Sequence, residues 1–574
     1  MKIPGIEPLG TLKGYQPSWL SRDLVAAIAL ISIAIPEQIA TARLANMPAL
    51  LGMYAFIAGS VAILIFGSTR QMSVGADSTI APIFATSVAL LATSGGTNYQ
   101  HLVTMIALLA GGFVVIAGLV KLGWIADLMS TPVVDGILAG IALEIILGQL
   151  PNALGIPKGG ATVLSKLEHL ISNLASVNFW SLGVAISVIL IVYLAEKIDR
   201  RIPGAFIALV ATIVCVPLFH LQNHGVTILG KVSGGLPSFG LPSIDFSNFK
   251  MLLGTALTVA YVTVVQTAAT ARLVATETGD SANIDADLVG VGAGSLIAGL
   301  TGGFAVDSSP PRTALVVKSG GKSQLTSAFA ALVMLGIALL ATPLITDLPN
   351  ATLAAILLVV ATRLVRIKEL KAVINYNKAE FALAAVAFLA IAALGIEQGV
   401  IVAILVSLAY RIRLAARPRL RVLEREIGAD HWVEPSDTPT ERVDSLLVYL
   451  VEGPMWFGNI QFIKRHILGE INKTAPKCKA LVLDAAGVED IDYTAAEATS
   501  DMIKELGHRN IQVVWARMDS ELEARLHERD LAAQFGEDKF LSSVESAVDK
   551  AISLTSNSTK QTDNRPSGLT DSKN

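Results

Sequence analysis

The chain has 574 residues, 52% of them hydrophobic and 16% charged, with a mean hydropathy of +0.59. A soluble domain carries nearer about 25% charged residues, which excludes that class for the first 415 or so residues, where the apolar sequence gathers. The formal net charge of −3 is uninformative because acidic residues concentrate in the C-terminal part; the two cysteines, Cys215 and Cys478, exclude a disulfide framework and a cysteine metal site.

The opening residues lack the charged, apolar and small-residue pattern of a cleavable signal. Residues 1–22 are expected to form a cytoplasmic segment, and the run after Asp23 the first span of a transport domain over 23–415. Apolar runs follow near 23–42, 50–66, 77–95, 102–121, 132–149, 180–196, 204–221, 251–273, 285–301, 308–317, 325–343, 349–364, 380–396 and 398–415, about fourteen in all. Several are shorter than the roughly 20 residues of a straight span, notably the one opening at Ser308, as a half-length helix would be. The fold class is a polytopic α-helical membrane protein.

Two polar breaks interrupt these runs in near-identical form: Asp77-Ser78-Thr79 with Pro82 beyond, and Asp307-Ser308-Ser309 with Pro310 and Pro311. Each follows a glycine-containing approach and reads as a capped helix start at membrane depth. One such start in each half is the pattern of an inverted repeat, and the outward amides of a helix start suit an anion. The offset of 230 between Asp77 and Asp307 also places the first span on the run near Leu253, with Pro36 opposite Gln266 and Glu37 opposite Thr267. Glu37, Gln266, Asp77 and Asp307 are therefore expected near one another. Thr263, Gln266, Thr267 and Thr270 share one helix face, which serves a permeation surface or interhelical bonding equally well.

Basic residues orient the chain. Arg70, Lys121, Lys197, Arg200, Arg201, Arg272, Lys318, Lys322, Arg363, Arg366, Lys368 and Lys371 fall in alternate loops, and Arg411 to Arg421 follow the last span. The loops after Leu91 and Leu340 carry almost none, so both termini are expected in the cytoplasm of a multi-pass protein of the cytoplasmic membrane.

After a linker at 416–442, the strand-like runs Leu446 to Leu450, Ala480 to Asp484 and Ile511 to Trp515 alternate with helical runs, giving a small cytoplasmic α/β domain over 443–555. Residues 556–574 are polar and expected to be disordered. His220 and His224 have helical spacing but no acidic companions, so no metal site is expected, and no phosphate-loop motif supports ATP-driven transport. No enzyme activity, cofactor or nucleic-acid partner is expected.

The stretches Ile35-Pro36-Glu37-Gln38 through Met47-Pro48, Gly52-Met53-Tyr54, and Phe66-Gly67-Ser68-Thr69-Arg70-Gln71-Met72-Ser73-Val74-Gly75 closely resemble the signature of the SulP anion permeases, bacterial relatives of the animal sulfate/chloride/bicarbonate exchangers and prestin. So do Gly234-Gly235-Leu236-Pro237 through Pro242, and Arg312 standing eight residues before Gly320-Gly321-Lys322-Ser323-Gln324-Leu325. The C-terminal domain resembles the STAS domain of that family. The resemblance implies a seven-plus-seven inverted repeat with core and gate domains and two half-helices, working as a homodimer by elevator-like motion on a sulfate, bicarbonate, chloride or dicarboxylate anion. It puts the anion between the facing starts of the third and tenth helices, here Ser78, Thr79, Ser308 and Ser309, with Arg312 one turn inward. The other reading is that these side chains merely cap and that Arg312 is a loop charge.

One departure concerns coupling. Where many members carry an acid in the eighth span this chain has Gln266, which binds no proton and anchors sodium poorly; its alignment with that functional acid implies that Gln266, unlike the rest of the polar stripe, belongs to the anion-binding site. Asp307, Asp77 and Glu37 are the candidates to couple H+ or Na+ in its place; the alternative is uncoupled exchange. In the STAS loop Asp492-Tyr493-Thr494, tyrosine replaces the phosphorylatable serine of the related anti-sigma-factor antagonists, leaving Thr494 as a weak substitute and a cytosolic protein as a candidate partner. Two alternatives remain: a nucleobase-type symporter of the same fold, and a STAS-based docking protein with vestigial transport.

Overall fold

A computed structural model describes residues 7–124, 130–160, 162–198, 202–230, 235, 239–240, 249–340, 346–429, 431–435, 439–474, 477–528 and 539–562. The chain divides into two units, Met1–Leu408 and Ala409–Asn574.

The first unit is helical. Its elements are α1 (Leu20–Leu44), α2 (Ala49–Phe66), β1 (Val74–Gly75), α3 (Ala81–Ala89), α4 (Thr97–Leu119), α5 (Thr131–Leu154), α6 (Val163–Ser172), α7 (Phe179–Ile198), α8 (Gly204–Leu218), α9 (Phe249–Thr278), α10 (Ile284–Leu300), β2 (Asp307–Ser308), α11 (Pro310–Lys318), α12 (Leu325–Leu340), α13 (Asn350–Leu364), α14 (Ile367–Tyr376), α15 (Lys378–Leu394) and α16 (Ile396–Ala415). Among the described residues, 8 helical stretches are long and apolar enough to cross a membrane. Pro36 lies inside α1, as membrane helices tolerate when neighbours satisfy the freed backbone groups.

Packing sorts these helices into two groups. α1 to α4 pack with α9 to α12, while α5, α7 and α8 pack with α13, and α5 also with α15; α1 touches both groups. Close seams in the first group join α1 to α2, where a Cβ on Gly52 would run into the Gln38 carbonyl oxygen, and α4 to α10, where one on Gly111 would lie 2.8 Å from the Gly292 carbonyl oxygen. Only glycine allows backbones that close, the small-residue packing that holds helices together in lipid.

The two polar breaks lead into short helices. α3 and α11 have nine residues each and open with proline in the first turn, where a missing N–H costs nothing and φ is already helical. Just before them β1 pairs antiparallel with β2, setting Val74 against Ser308 and Gly75 against Asp307. The expected capping differs from what is found. Ile80 and Ser309 occupy the cap positions and neither side chain caps; Asp77 and Asp307 sit too early in the chain and bond locally instead.

The second unit is an α/β domain of β3 (Leu420–Glu426), β4 (Trp432–Val433), β5 (Thr440–Glu441), β6 (Leu446–Glu452), α17 (Ile460–Thr474), β7 (Ala480–Gly487), α18 (Tyr493–His508), β8 (Gln512–Ala516), α19 (Ser520–Glu528), β9 (Phe540–Leu541) and α20 (Val544–Thr562). β6, β7, β8 and β9 run parallel, and β3 joins β6 antiparallel. Ile460, Ile463, Ile467 and Ile471 line one face of α17 and pack with Tyr449 and Trp515, while Ala547, Val548 and Ala551 of α20 cover Val482 and Val514. The stretch 416–442, expected as a linker, supplies β3, β4 and β5 to this sheet; the charges of the Leu420–Glu426 strand, most of it only partly buried, hide its apolar alternation. Residues 556–562, expected to be disordered, continue α20, and 563–574 lie outside the described residues.

Candidate functional site

The ribbon of β1 and β2 brings the two breaks together inside the first helix group. Asp77, Ser78, Thr79, Asp307, Ser308, Ser309 and Arg312 are all buried. The Ser309 amide donates to the Ser73 carbonyl at 2.9 Å, extending the stitch by one bond.

Gln266 on α9 bridges the breaks. Its amide nitrogen donates to the Ser308 carbonyl at 2.7 Å, and its Oε1 lies 3.0 Å from the Thr79 hydroxyl. That hydroxyl is also 2.7 Å from Asp77 Oδ1, so two acceptors compete for one hydrogen. One turn along α9 the Thr270 hydroxyl meets the Ser308 hydroxyl at 3.1 Å. Thr263 and Thr267 are buried too, so the polar stripe faces the bundle interior.

Arg312 is fully buried on α11. Its Nη1 donates to the Ala76 carbonyl at 3.1 Å and lies 3.3 Å from Glu37 Oε1 on α1, while the guanidinium carbon sits 6.0 Å from the Phe56 ring centre. Nε and Nη2 have no partner among the described residues. A guanidinium carries five N–H donors in a fixed fork, so more than half of this one is unspent. Asp307 is likewise half-used: Oδ1 accepts the Ser308 amide at 2.7 Å and the buried Oδ2 accepts nothing from the described residues.

Several residues that position the site escaped the sequence reading. Gln38 grips the backbone before the first break at both ends, donating to the Ala76 carbonyl at 2.9 Å and accepting the Ala76 amide at 2.8 Å; it lies within the quoted signature, which was the available signal. Two buried carboxylates clamp loops far along the chain. Asp287 accepts the Ser68 amide at 2.7 Å, the Thr69 amide at 2.9 Å and the Thr69 hydroxyl. Asp23 accepts the Lys322 amide at 2.6 Å, the Ser323 amide at 3.1 Å and the Ser323 hydroxyl at 2.6 Å. Both use two successive amides and the second residue's hydroxyl, and Asp23 also accepts the Thr326 hydroxyl at 3.2 Å. Asp135 and Glu144 on α5 are also buried, paired with Arg366 and Lys166. An ionisable group in a membrane helix is itself a signal, and applied evenly it finds all four.

In the second unit Asp492 caps α18, accepting the Ala495 amide at 2.7 Å while its other oxygen accepts the Phe457 amide at 2.8 Å. Tyr493 and Thr494 are exposed beside it. The Tyr493 hydroxyl donates to Glu497 at 2.8 Å, a bond that holds its pKa above the ordinary tyrosine range. His224 stacks on Trp180 with ring centres 4.8 Å apart, and no group of three or more metal-ligating His, Cys, Asp or Glu occurs among the described residues.

A helical membrane core with two half-length helices meeting at a polar centre, followed by an α/β domain, defines a multi-pass membrane transporter rather than an enzyme. Residues 20–387 match the Sulfate permease family and residues 437–547 the STAS domain. A probable sulfate transporter of Mycobacterium tuberculosis is 31% identical over 93% of this chain and 96% of that protein, and High affinity sulfate transporter 2 of Stylosanthes hamata is 24% identical over 92% and 83%. In fold, the chain resembles the murine Solute Carrier 26 family member A9 anion transporter, solved in the inward-facing state, with a TM-score of 0.88 at 19% identity over 95% of this chain and 94% of that one. The transmembrane domain of the cyanobacterial bicarbonate transporter BicA gives a TM-score of 0.59 at 23% identity over 69% and 97%. The chain belongs to the sulfate permease family of anion transporters, and its C-terminal unit is a STAS domain.

Proposed function

We propose that this chain is a secondary transporter of a small inorganic or carboxylate anion, of the sulfate, bicarbonate, chloride or dicarboxylate class, held between the starts of α3 and α11. The observation carrying this reading is the buried Arg312 guanidinium with Nε and Nη2 unpartnered beside two converging helix starts. Charged donors withheld from water and from every described acceptor are ready to replace the hydration shell of an anion. Ser78, Thr79, Ser308 and Ser309 supply hydroxyls and backbone amides, and Gln266 holds the two starts at a fixed separation.

The two helix groups support an elevator-like motion in which α1 to α4 and α9 to α12 carry the anion past the second group. The basic loops support a cytoplasmic-membrane protein with both termini inside; its action as a homodimer rests on the family resemblance alone. Coupling to H+ or Na+, where it exists, falls first to Asp307, whose Oδ2 is free, and then to Asp77 and Glu37. The exposed Tyr493 and Thr494 make the STAS loop available to a cytosolic partner.

Uptake of radiolabelled sulfate into proteoliposomes, competed with bicarbonate, chloride and succinate, tests the reading. One anion is expected to be taken up saturably and to displace the others. Failure of all four to enter or compete would overturn it.

A further inference from the structure

A second polar pocket lies away from the helix starts. Its cavity of about 220 Å³ opens where the last turn of α1, the loop after α3, the end of α5 and the start of α13 converge. Arg43, Lys158, Asn46, Gln149, Asn152 and Asn350 line it, and no carboxylate does among the described residues. The volume falls below the roughly 300–1,000 Å³ of sites for drug-sized ligands, which leaves room for a small ion with some of its water.

Among the described residues, neither charge here has an acidic partner. Arg43 stands in the last turn of α1, where a cation meets the helix dipole favourably, and its Nη2 donates to the Leu229 carbonyl at 3.1 Å. That accounts for one arm; its Nε is buried with no partner. Lys158, on the loop after α5, brings a second positive charge to the same cavity. Two like charges lining one small space repel, even with Lys158 exposed, and a negative group between them would turn that repulsion into attraction.

The amides complete the chemistry. Asn152 donates to Gln149 Oε1 at 3.1 Å, and the Asn350 amide side chain donates to the Thr227 hydroxyl at 3.3 Å. Each side-chain amide nitrogen carries two hydrogens, so a donor remains on both after these bonds. Guanidinium, ammonium and amide N–H groups together match the oxygens of a tetrahedral or planar oxyanion.

We propose that this pocket is a second anion-binding site, taking a small oxyanion or carboxylate on Arg43 and Lys158, separate from the site between α3 and α11. Arg43 follows Glu37, the partner of Arg312, by six residues on α1, which is about 9 Å along the helix axis. An anion held here waits at the approach to the central site, and its local concentration rises in the field of the two cations.

The test uses the full-length protein purified in detergent. Acylation of Lys158 by a water-soluble acetyl ester is followed by mass spectrometry with and without sulfate, bicarbonate or succinate, with exposed Lys504 as internal reference. At least one anion is expected to slow Lys158 acylation severalfold without affecting Lys504, and Arg43→Gln should remove that protection. Equal acylation with and without all three anions overturns the proposal. So does protection that survives Arg43→Gln but is lost in Arg312→Lys, which would trace it to the central site. Lys158→Gln, a loop change with little reach into the fold, adds a second measure: equilibrium dialysis with radiolabelled sulfate should lose one of two binding classes, and unchanged stoichiometry and affinity count against the site.

Discussion

At the first break Asp77 gives its Oδ1 to the Thr79 amide and hydroxyl, and the helix that follows carries no ionisable side chain. At the second, Asp307 keeps one oxygen free and α11 buries Arg312 with most of its fork unspent. The two segments share a sequence pattern, a prolyl helix start and a length of nine residues. Near-equal backbones have thus been given unequal electrostatic tasks: the first supplies neutral donors, and the second buries a guanidinium that is paired with Glu37 through one arm and still has Nε and Nη2 to give. A polar group stays unpaired in a protein interior only at a cost of about 1–3 kcal/mol, more when charged, so the asymmetry marks the second break as the place where a ligand has most to offer.

Arg312 breaks this comparison most directly. Arg312→Ala is expected to weaken anion binding about a hundredfold, about 2.7 kcal/mol, and Arg312→Lys to recover only part, because a point charge replaces the fork. Removing the guanidinium also strands Glu37, which destabilises in its own right. The pair Arg312→Ala with Glu37→Gln separates the effects: thermal stability should return and binding should not. Uptake by Arg312→Ala equal to wild type would refute the assignment.

The clamps and the bridge carry the next largest effects. Asp287 fixes Ser68 and Thr69 on the way into the first break, and Asp23 fixes Lys322 and Ser323 on the way out of α11. Asp287→Ala leaves two amides and a hydroxyl without an acceptor, an expected loss on the order of 3 kcal/mol of stability, seen as a lowered unfolding midpoint in detergent. Asp23→Ala should cost a similar amount; a clear inequality would show that the two ends are not held alike. Gln266→Ala cuts both bonds across the breaks and should weaken anion affinity about tenfold while leaving the midpoint nearly unchanged, since α9 keeps its own backbone bonds.

The membrane helices, the two breaks and the α/β domain were legible because each has a short-range signal: apolar length, proline after a polar triplet, strands alternating with helices. The β1 and β2 ribbon was not, because two residues of strand leave no periodicity to find. The capping of α3 and α11 was misjudged, since Asp77 and Asp307 fit the residue preference of a cap but stand four and three residues ahead of helices whose first turns are set by proline. β3 was hidden by its charges. Asp23 and Asp287 are marked in the sequence only as ionisable groups in membrane helices; what they clamp lies 300 and 218 residues away, which no local pattern reveals. Gln38 sits inside the signature beside the charged Glu37, and as a neutral residue it carries no such mark.

The smallest expected effect is the most selective. A proton placed on Asp307 Oδ2 would break no existing bond, because that oxygen accepts none from the described residues; it is also buried and unpartnered, which neither oxygen of Asp77 is. Asparagine keeps a carbonyl oxygen for the Ser308 amide and so preserves the local bond. If Asp307 carries a coupling proton, wild-type uptake should accelerate in an inward proton gradient, and Asp307→Asn should lose that acceleration while counterflow exchange continues at its normal rate. Asp77→Asn should retain the acceleration. If sodium is the coupling ion, the same pair of variants should separate under a sodium gradient instead. Wild-type uptake indifferent to both gradients, with Asp307→Asn at the wild-type rate, would leave the free carboxylate oxygen without a coupling role and make the two breaks alike in every respect but Arg312.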